Sequence, residues 1–323
     1  MRDRIEGAVR RAIVHPRVGG RAVRVLEALG AHTVADHLDR VRTNGDLVAT
    51  TLPARHRDLR ARRFRMHALG GRDQVARALR SGGWYGFEAP LPSVVVGLVR
   101  RWPDTVLDVG ANTGLYSLIT VTAHHEARAI AYEPVPEIAL LLRANVEANP
   151  QGARITVREL AVGDRSGTAD LHLPPPQPDG TIETSASLES DFKDTIERVV
   201  TVEAATLDDA WRAAGSPTVS LVKIDVEGAE PRVLGGAGDL IDACRPVLTV
   251  EVLPGADVSV AEQLMTERRY VDVRLSPTEA VVRSPSVVAE ASAPNHLLVP
   301  DERLEAVLEE LRAIPRLAVT LLG

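Results

Sequence analysis

Residues able to do chemistry stand at the ends of short apolar stretches in this chain. In VLDVGANTG, residues 106–114, an apolar run ends in Asp108 and is followed by Gly110, Asn112 and Gly114. A strand that ends in a glycine turn and continues into a helix commonly binds an anionic or nucleotide-bearing ligand. The dinucleotide fingerprint G-x-G-x-x-G is absent here, because three other residues separate the two glycines.

Two carboxylates at successive strand ends indicate which ligand this would be. Asp108 would repel a pyrophosphate but would accept a hydrogen bond from an ammonium group. Glu133 ends the next predicted strand, 19 residues beyond Gly114, where a carboxylate can bind the hydroxyls of a ribose. S-adenosylmethionine has both an amino-acid end and an adenosine, so the pair predicts this cofactor. The alternative is that the glycines form only a structural turn and that Glu133 is a solvated strand end.

A second group of carboxylates follows later predicted strands. Asp225 ends VSLVKID, Glu227 and Glu230 follow it, and Glu251 ends the neighbouring strand. In an open α/β sheet the ligand pocket lies beyond these strand ends. Asp225 and Glu227 are predicted to orient or deprotonate a methyl acceptor and Glu251 to contact it, whereas Glu230 is predicted to stabilise a helix start. Asp225 and Glu251 would also suit a magnesium ion, and this alternative stays open.

Two further groups of residues are candidates for the same pocket. His296 precedes the last predicted strand of the sheet, and an imidazole suits a general base, which makes it a catalytic candidate. The densest aromatic cluster of the chain, which has 3% aromatic residues, consists of Trp84, Tyr85 and Phe87 and is followed directly by Glu88. They are predicted to contact the substrate as a lid or wall, or alternatively to clamp the N-terminal segment onto the sheet.

The elements that position these residues follow an α/β pattern. Short β-branched runs alternate with helical segments from residue 105 onward, which predicts βαβ units on a parallel sheet. The helices between the strands are predicted near residues 114–125, 136–149, 208–214 and 229–243. Residues 1–85 are predicted to be an arginine-rich helical segment, and residues 86–323 the main domain. The strands predicted for the parallel sheet are 105–110, 127–133, 154–160, 219–225 and 246–252. Antiparallel additions are predicted at 168–173 and 198–204, and a helix, two strands and a closing helix at 258–269, 270–275, 295–300 and 301–314.

Composition and charge exclude several classes of protein. No apolar run approaches the ~18 residues of a membrane span, and the N-terminal residues lack a secretory signal, which favours a cytoplasmic protein. A single cysteine, Cys244, excludes an intramolecular disulfide. Residues 1–80 hold 18 Arg and 8 acidic residues. This segment could bind nucleic acid or a second subunit, but 36 of the 38 basic residues in the chain are arginine, which favours a solvated helical face.

The motifs VLDVGANTGLYSL, AYEPVPEIALLLRANVEAN, VGDRSGTADL, TLDDAW, LVKIDVEGAEPRVLGGA and VLTVEV resemble those of FkbM-type S-adenosylmethionine-dependent methyltransferases. The resemblance covers roughly residues 86–300. It implies a Rossmann-like class I fold, with a mostly parallel seven-stranded sheet, one antiparallel strand and helices on both faces. It also implies cofactor binding by Asp108, Gly110, Asn112, Gly114 and Glu133, with Asp164 near the adenine.

The acceptor is the least determined part of this prediction. The resemblance implies methylation of a hydroxyl or amine on a small natural product, such as a sugar, glycoside or aminoglycoside in antibiotic biosynthesis. The acidic balance of residues 81–323 favours a cationic acceptor. A nicotinamide-dependent oxidoreductase and a nucleic-acid or partner-binding protein are the alternative functions, and a homo-oligomer is also compatible with the sequence.

Overall fold

The computed structural model describes residues 47–52, 62–175, 177, 182, 186–189, 196–283 and 286–322, with only the backbone at 85 and 283. The arginine-rich helices predicted before residue 47 lie outside this range. No helix within it combines the length and apolar character needed to cross a membrane.

Within the described residues, fourteen strands form one large sheet and two small ones. The strands are β1 Leu47–Leu52, β2 Arg62–His67, β3 Thr105–Val109, β4 Arg128–Tyr132, β5 Ile155–Arg158, β6 Ala161–Gly163, β7 Gly167–Leu173, β8 Arg198–Thr206, β9 Val219–Ile224, β10 Val247–Glu251, β11 Tyr270–Leu275, β12 Glu279–Arg283, β13 Asn295–Pro300 and β14 Ala318–Leu321. The α-helices are α1 Gln74–Gly82, α2 Leu91–Arg101, α3 Leu115–Ala123, α4 Pro136–Glu147, α5 Leu207–Ala213, α6 Glu230–Gly235, α7 Gly238–Cys244, α8 Ser259–Arg268 and α9 Leu304–Arg312.

The nine strands of the large sheet run in the order β14-β12-β11-β13-β10-β9-β3-β4-β5. From β5 to β11 this is the predicted seven-stranded arrangement, with β13 antiparallel to both of its neighbours. The strands β12 and β14 extend it by two and were not predicted. The strands β7 and β8 pair antiparallel, as predicted, and form a separate three-stranded sheet with β6.

The central strands are largely apolar because both faces of the sheet are covered. Every residue of β3 and β9 is buried. Neighbouring residues of β3 belong to different cores: Val106 packs into the cluster around α2 and α3, and Leu107 into the cluster around α5 and α8. A parallel strand buried on both faces reads as a continuous apolar run instead of an alternating one.

The helix predicted over 229–243 is divided into α6 and α7. The division lies at Gly236, where a Cβ atom would overlap the backbone oxygen of Gly163 in β6. The helix α2, which packs on α3, was not predicted at all. Its sequence LPSVVVGLVRR is rich in valine, a β-branched residue with low helix propensity, and therefore gives no clear helical signal.

The predicted helical character of the N-terminal segment is wrong for the stretch that contains β1 and β2. These strands form an antiparallel hairpin. Within RRFRMH, Phe64 and Met66 are buried while Arg63 and Arg65 are exposed, which is the two-residue period of a strand. The hairpin and α1 share one hydrophobic core with the large sheet. Helix α1 itself was predicted, and Asp73 caps it by accepting a hydrogen bond from the Ala76 amide at 2.6 Å.

Candidate active site

The loop after β3 has a backbone that only small residues permit. Gly110 and Gly114 have φ of 73° and 94°. A Cβ atom at Gly110 would overlap the carbonyl oxygen of Asp225, and one at Gly114 would overlap the side chain of Leu142. Asn112, also at positive φ, accepts a hydrogen bond through Oδ1 from the Thr113 amide at 2.7 Å. The glycines are therefore required by close contacts on both sides of the turn.

Glu133 holds this loop from the end of the next strand. Its Oε2 accepts a hydrogen bond from the Asn112 amide and its Oε1 accepts one from the Val135 amide, both at 2.9 Å. Only 6% of the residue is exposed, and burial raises the pKa of this carboxyl to about 7. Each oxygen can accept a further hydrogen bond, so the carboxylate can receive hydroxyl groups from a ligand.

The loop and Glu133 border a cleft at the carboxyl ends of the central strands. Gly110, Asn112, Asp225 and Glu227 also line it. The lining also includes an apolar group that would suit a flat ring: Leu160, Ala161, Val162, Leu171 and Leu188.

The short segment 186–189 contributes Ala186 and Leu188 to the lining of the cleft. Ser187 Oγ donates a hydrogen bond to the backbone oxygen of Glu227 at 2.6 Å. Glu189 forms an ion pair with Arg232 on α6 at 2.8 Å. Leu188 between them is therefore held against the cleft by contacts on both of its flanks.

Asp108 and Asp164, both predicted to contact the cofactor, are not among the residues that line the cleft. Asp108 is fully buried and its Oδ2 accepts both hydrogen bonds of Ser117, from the amide and from the hydroxyl. It does not line the cleft, so direct contact with a cofactor ammonium group is not supported. The carboxylate of Asp164 lies 3.5 Å from the Arg165 guanidinium, while the wall of the cleft is formed by residues just before it in the chain.

Asp225 lies at the cleft as predicted, and an unpredicted residue holds it. Asp225 Oδ2 accepts a hydrogen bond from Lys223 Nζ at 2.9 Å, and the same ammonium group lies 3.3 Å from the Gly110 carbonyl oxygen. Lys223 is 4% exposed. The signal in the sequence was a single charged residue within an apolar strand, in a chain with only two lysines.

Glu230 and Glu251 differ sharply in their surroundings. Glu230 is buried, and its carboxylate accepts hydrogen bonds from the amides of Val226 and Gly228 at 2.9 and 3.1 Å. Its role is therefore structural, although it holds the preceding loop instead of the first turn of α6. The carboxylate of Glu251 forms no hydrogen bond or ion pair with a described residue. Burial and then the charge of Asp225 raise its pKa to about 8.

These positions allow a test of the predicted magnesium site. Asp225, Glu230 and Glu251 each offer an oxygen within 4.8 Å of the others. However, the Asp225 carboxylate is paired with the Lys223 ammonium group, and Glu230 accepts hydrogen bonds from backbone amides. A divalent cation would have to displace the first pair and compete with the second, so the donor set is a poor fit for magnesium.

The aromatic cluster before α2 joins the site through Glu88. Glu88 accepts a hydrogen bond from the Tyr116 hydroxyl at 2.6 Å. Burial and the nearby Asp225 raise the pKa of this carboxyl. Trp84 and Phe87 pack against the hydrophobic core, an arrangement that matches a clamp and not a lid. The side chain of Tyr85 lies outside the described residues.

The catalytic role predicted for His296 is not supported. The residue is 0% exposed, and its Nδ1 lies 2.8 Å from Asp272 Oδ1 within the core. On β13 it stands opposite Val250, so the ring faces the core beneath α8 and not the cleft. Placement near a strand end was visible in the sequence, but the direction of the side chain was not.

The central strand order, the glycine loop after β3 and the carboxylate after β4 define a class I methyltransferase fold. Residues 108–271, about half of the chain, match the Methyltransferase FkbM domain. The chain belongs to this family. Family membership leaves the nicotinamide-dependent oxidoreductase without support.

Relatives with known names include three methyltransferases. The 2-O-methyltransferase NoeI of Sinorhizobium fredii (strain NBRC 101917 / NGR234) is 28% identical over 165 residues, covering 48% of this chain and 66% of NoeI. The 31-O-demethyl-FK506 methyltransferase FkbM of Streptomyces tacrolimicus is 28% identical over 219 residues, covering 60% and 77%. The hexuronic acid methyltransferase AglP of Haloferax volcanii is 27% identical over 166 residues, covering 51% and 63%. The matched region thus spans just under two thirds of NoeI and AglP.

Proposed function

We propose that this protein transfers the methyl group of S-adenosylmethionine to a hydroxyl group of a small polar acceptor, such as a sugar or glycoside. The proposal depends on one observation. Gly110, Asn112 and Glu133 line the same cleft, together with a group of apolar residues. Glu133 would bind the ribose hydroxyls, and Leu160 to Val162 would pack on the adenine. The cofactor supplies an electrophilic methyl group on a positively charged sulfur.

The residues beyond the strand ends would manage the acceptor. A hydroxyl group must lose its proton as its oxygen attacks the methyl carbon in line with the departing sulfur. Asp225 and Glu227 line the cleft next to the glycine loop, and Glu251 ends the adjacent strand. The carboxylates of Asp225 and Glu227 can orient the hydroxyl group and accept its proton. Glu251 retains its own proton below about pH 8 and can only help to orient the acceptor. The proposed reaction involves no metal, because the Asp225 carboxylate is already paired with Lys223.

The relatives support a hydroxyl acceptor more strongly than an amine. The names of NoeI and of the Streptomyces FkbM specify O-methylation, and that of AglP specifies a hexuronic acid. An amino sugar is the second candidate. Burial is the main cause of the raised pKa of Glu251, and the charges of Asp225, Glu227, Glu230 and Glu88 all add to it. This concentration of negative charge would attract a cationic acceptor. A role in natural-product biosynthesis remains part of the proposal.

Calorimetric titration with S-adenosylhomocysteine tests the cofactor site directly. The wild type is expected to bind it, and Glu133→Ala is expected to bind at least about tenfold more weakly because hydrogen bonds to a charged acceptor are lost. Glu137→Ala is the matched control. Glu137 lies in the first turn of α4, forms an ion pair with Arg198 of β8 and does not line the cleft. Equal affinities for the wild type and Glu133→Ala would contradict the proposed ribose contact.

Methyl transfer from radiolabelled S-adenosylmethionine then tests the acceptor class. Neutral methyl glycosides, a hexuronic acid and an aminoglycoside would be compared, each with magnesium and with chelator. The proposal predicts O-methylated sugar and no effect of the chelator. Methylation of an amine, or loss of the activity with chelator, would overturn the corresponding part of the proposal.

A further inference from the structure

The ammonium group of Lys223 connects two parts of the cleft that come from different strands. It donates a hydrogen bond to the Asp225 carboxylate on the acceptor side and lies 3.3 Å from the carbonyl oxygen of Gly110 in the cofactor loop. It also lies 5.2 Å from the centre of the Tyr116 ring, in the range of a cation–π contact. One side chain therefore contacts the loop after β3, the end of β9 and α3.

The strand pairing and the neighbouring carboxylates stabilise the ammonium group of Lys223 in this position. The residue stands opposite Asp108 in the pairing of β3 with β9, on the same face of the sheet. Its charge is compensated by Asp225, Asp108 and Glu88, which raise its pKa well above the ordinary range despite burial. Removing one partner of a buried charge cluster leaves the others uncompensated, so Lys223 and its carboxylates depend on one another.

We propose that Lys223 is a positioning residue that fixes the Gly110 carbonyl and the Asp225 carboxylate in one arrangement, so that the cofactor side and the acceptor side of the cleft are set together. This inference rests on the methyltransferase function proposed above. It assigns a role to a residue that is not itself among those lining the cleft.

The same charge acts on the proposed ribose contact. Burial raises the pKa of Glu133 to about 7; the amides of Val135 and Asn112 and the charge of Lys223 oppose this rise, and Asp108 adds to it. Without Lys223 the pKa of Glu133 rises further. A larger fraction of Glu133 would then be protonated near pH 7, and a protonated carboxyl group is a weaker acceptor for ribose hydroxyls.

The test is the affinity for S-adenosylhomocysteine, measured from pH 5.5 to 9 in the wild type and Lys223→Met. In the wild type the affinity should fall as the pH decreases through about 7. In Lys223→Met we expect affinity at pH 7 to fall at least about tenfold and the midpoint to move to higher pH. A merely structural defect would weaken binding equally at all pH values.

Two further variants serve as a control and as a replacement if Lys223→Met does not fold. Asp272→Asn removes a buried charge from the His296 pair, away from the cleft, and should leave the midpoint unchanged. If Lys223→Met does not fold, Lys223→Met/Asp225→Asn replaces it, because neutralising both partners costs less than neutralising one. The double variant should show the same upward shift of the midpoint.

The outcomes separate this inference from the proposed function. A folded wild type that does not bind S-adenosylhomocysteine would contradict the methyltransferase function itself. Binding by the wild type together with an unshifted midpoint in Lys223→Met would overturn only the role of Lys223. The wild type also offers a direct observation, since the chain has two lysines. With isotope-labelled lysine, and Lys193→Arg for assignment, an unmoved Lys223 signal on saturation with S-adenosylhomocysteine would also overturn that role.

Discussion

At the scale of single residues, the glycine loop shows how close packing selects an amino acid. Gly110 has positive φ and also lies against the Asp225 carbonyl oxygen. Gly215, in the turn after α5, has φ of 88° but no atom within 4 Å of a Cβ position. Gly110 is therefore required both by its positive φ and by the close contact, whereas Gly215 is required by its positive φ alone.

Gly110→Ala should be much more harmful than Gly215→Ala. For Gly215→Ala we expect a loss of about 1 kcal/mol in the free energy of unfolding, from the left-handed backbone alone. For Gly110→Ala we expect at least about 3 kcal/mol and loss of binding of S-adenosylhomocysteine, because the loop must move away from β9. Urea unfolding and calorimetry measure both effects. Equal losses in the two variants would contradict the packing argument.

Glu251 carries an energetic cost that depends on pH. Its pKa is raised from an ordinary 4.5 to about 8, first by burial and then by Asp225. Between these pH values the unfolded chain is ionised and the folded chain retains the proton. The folded state therefore binds more protons, and stability falls as the pH rises through this window.

Glu251→Gln should remove this cost. We expect the melting temperature of the variant to equal that of the wild type near pH 4.5 and to exceed it at pH 8. Glu305→Gln serves as the control, because its side chain is 82% exposed and should give parallel curves. A wild-type advantage at pH 8 would show that the carboxylate of Glu251 makes a stabilising contact when ionised.

At the scale of elements, α4 joins the hairpin to the cofactor loop. The side-chain oxygen Oδ1 of Asn145 accepts a hydrogen bond from the His67 amide of β2, and its Nδ2 donates one to the Thr113 carbonyl oxygen, both at 2.8 Å. One turn later, Asn149 bonds both backbone groups of Arg65 at 2.8 Å. These side chains satisfy the free edge of β2 as a third strand would.

Asn145→Ala and Asn149→Ala should therefore differ in function. Each leaves buried backbone groups without partners, and we expect each to lose about 2 to 4 kcal/mol of unfolding free energy. Only Asn145 contacts the loop, so only Asn145→Ala should also weaken binding of S-adenosylhomocysteine. Denaturant unfolding and calorimetry on both variants provide the comparison. Equal weakening of ligand binding would show that the hairpin as a whole supports the site.

At the scale of the whole molecule, the hairpin and the sheet share one core. Phe64 and Met66 of β2 are buried in the same cluster as Val106 of the central strand. The division predicted at residue 85 therefore does not coincide with a break in the hydrophobic core. The described part of residues 47–85 should unfold together with the rest.

Phe64→Ala tests this directly. Phe64 is 1% exposed, and its truncation should cost about 3 to 5 kcal/mol. In scanning calorimetry we expect one transition that moves to lower temperature as a whole. Val199→Ala, at a position 51% exposed, should leave that transition in place. A separate early transition in Phe64→Ala would show that the hairpin unfolds independently.

The sequence alone determined the parallel strands, the order of the motifs and the glycine loop with its strand-end carboxylate at Glu133. Each of these depends on local pattern: runs of apolar residues, turns that require glycine, and distances along the chain. The hairpin was missed because its arginine-rich stretch was interpreted as a solvated helical face, although RRFRMH itself alternates between exposed and buried residues. Asp108, Asp225 and His296 were all placed near strand ends, as found.

Only the tertiary structure decided which of these residues reach the cleft. Asp108 and His296 face inward and are covered by neighbouring elements, while Asp225 reaches the cleft and is held by Lys223. The direction of a side chain from a strand depends on register and on what packs across it. The pairing of Lys223 with the Gly110 loop joins residues 113 positions apart in the chain, a contact that exists only because β3 and β9 are neighbours in the sheet.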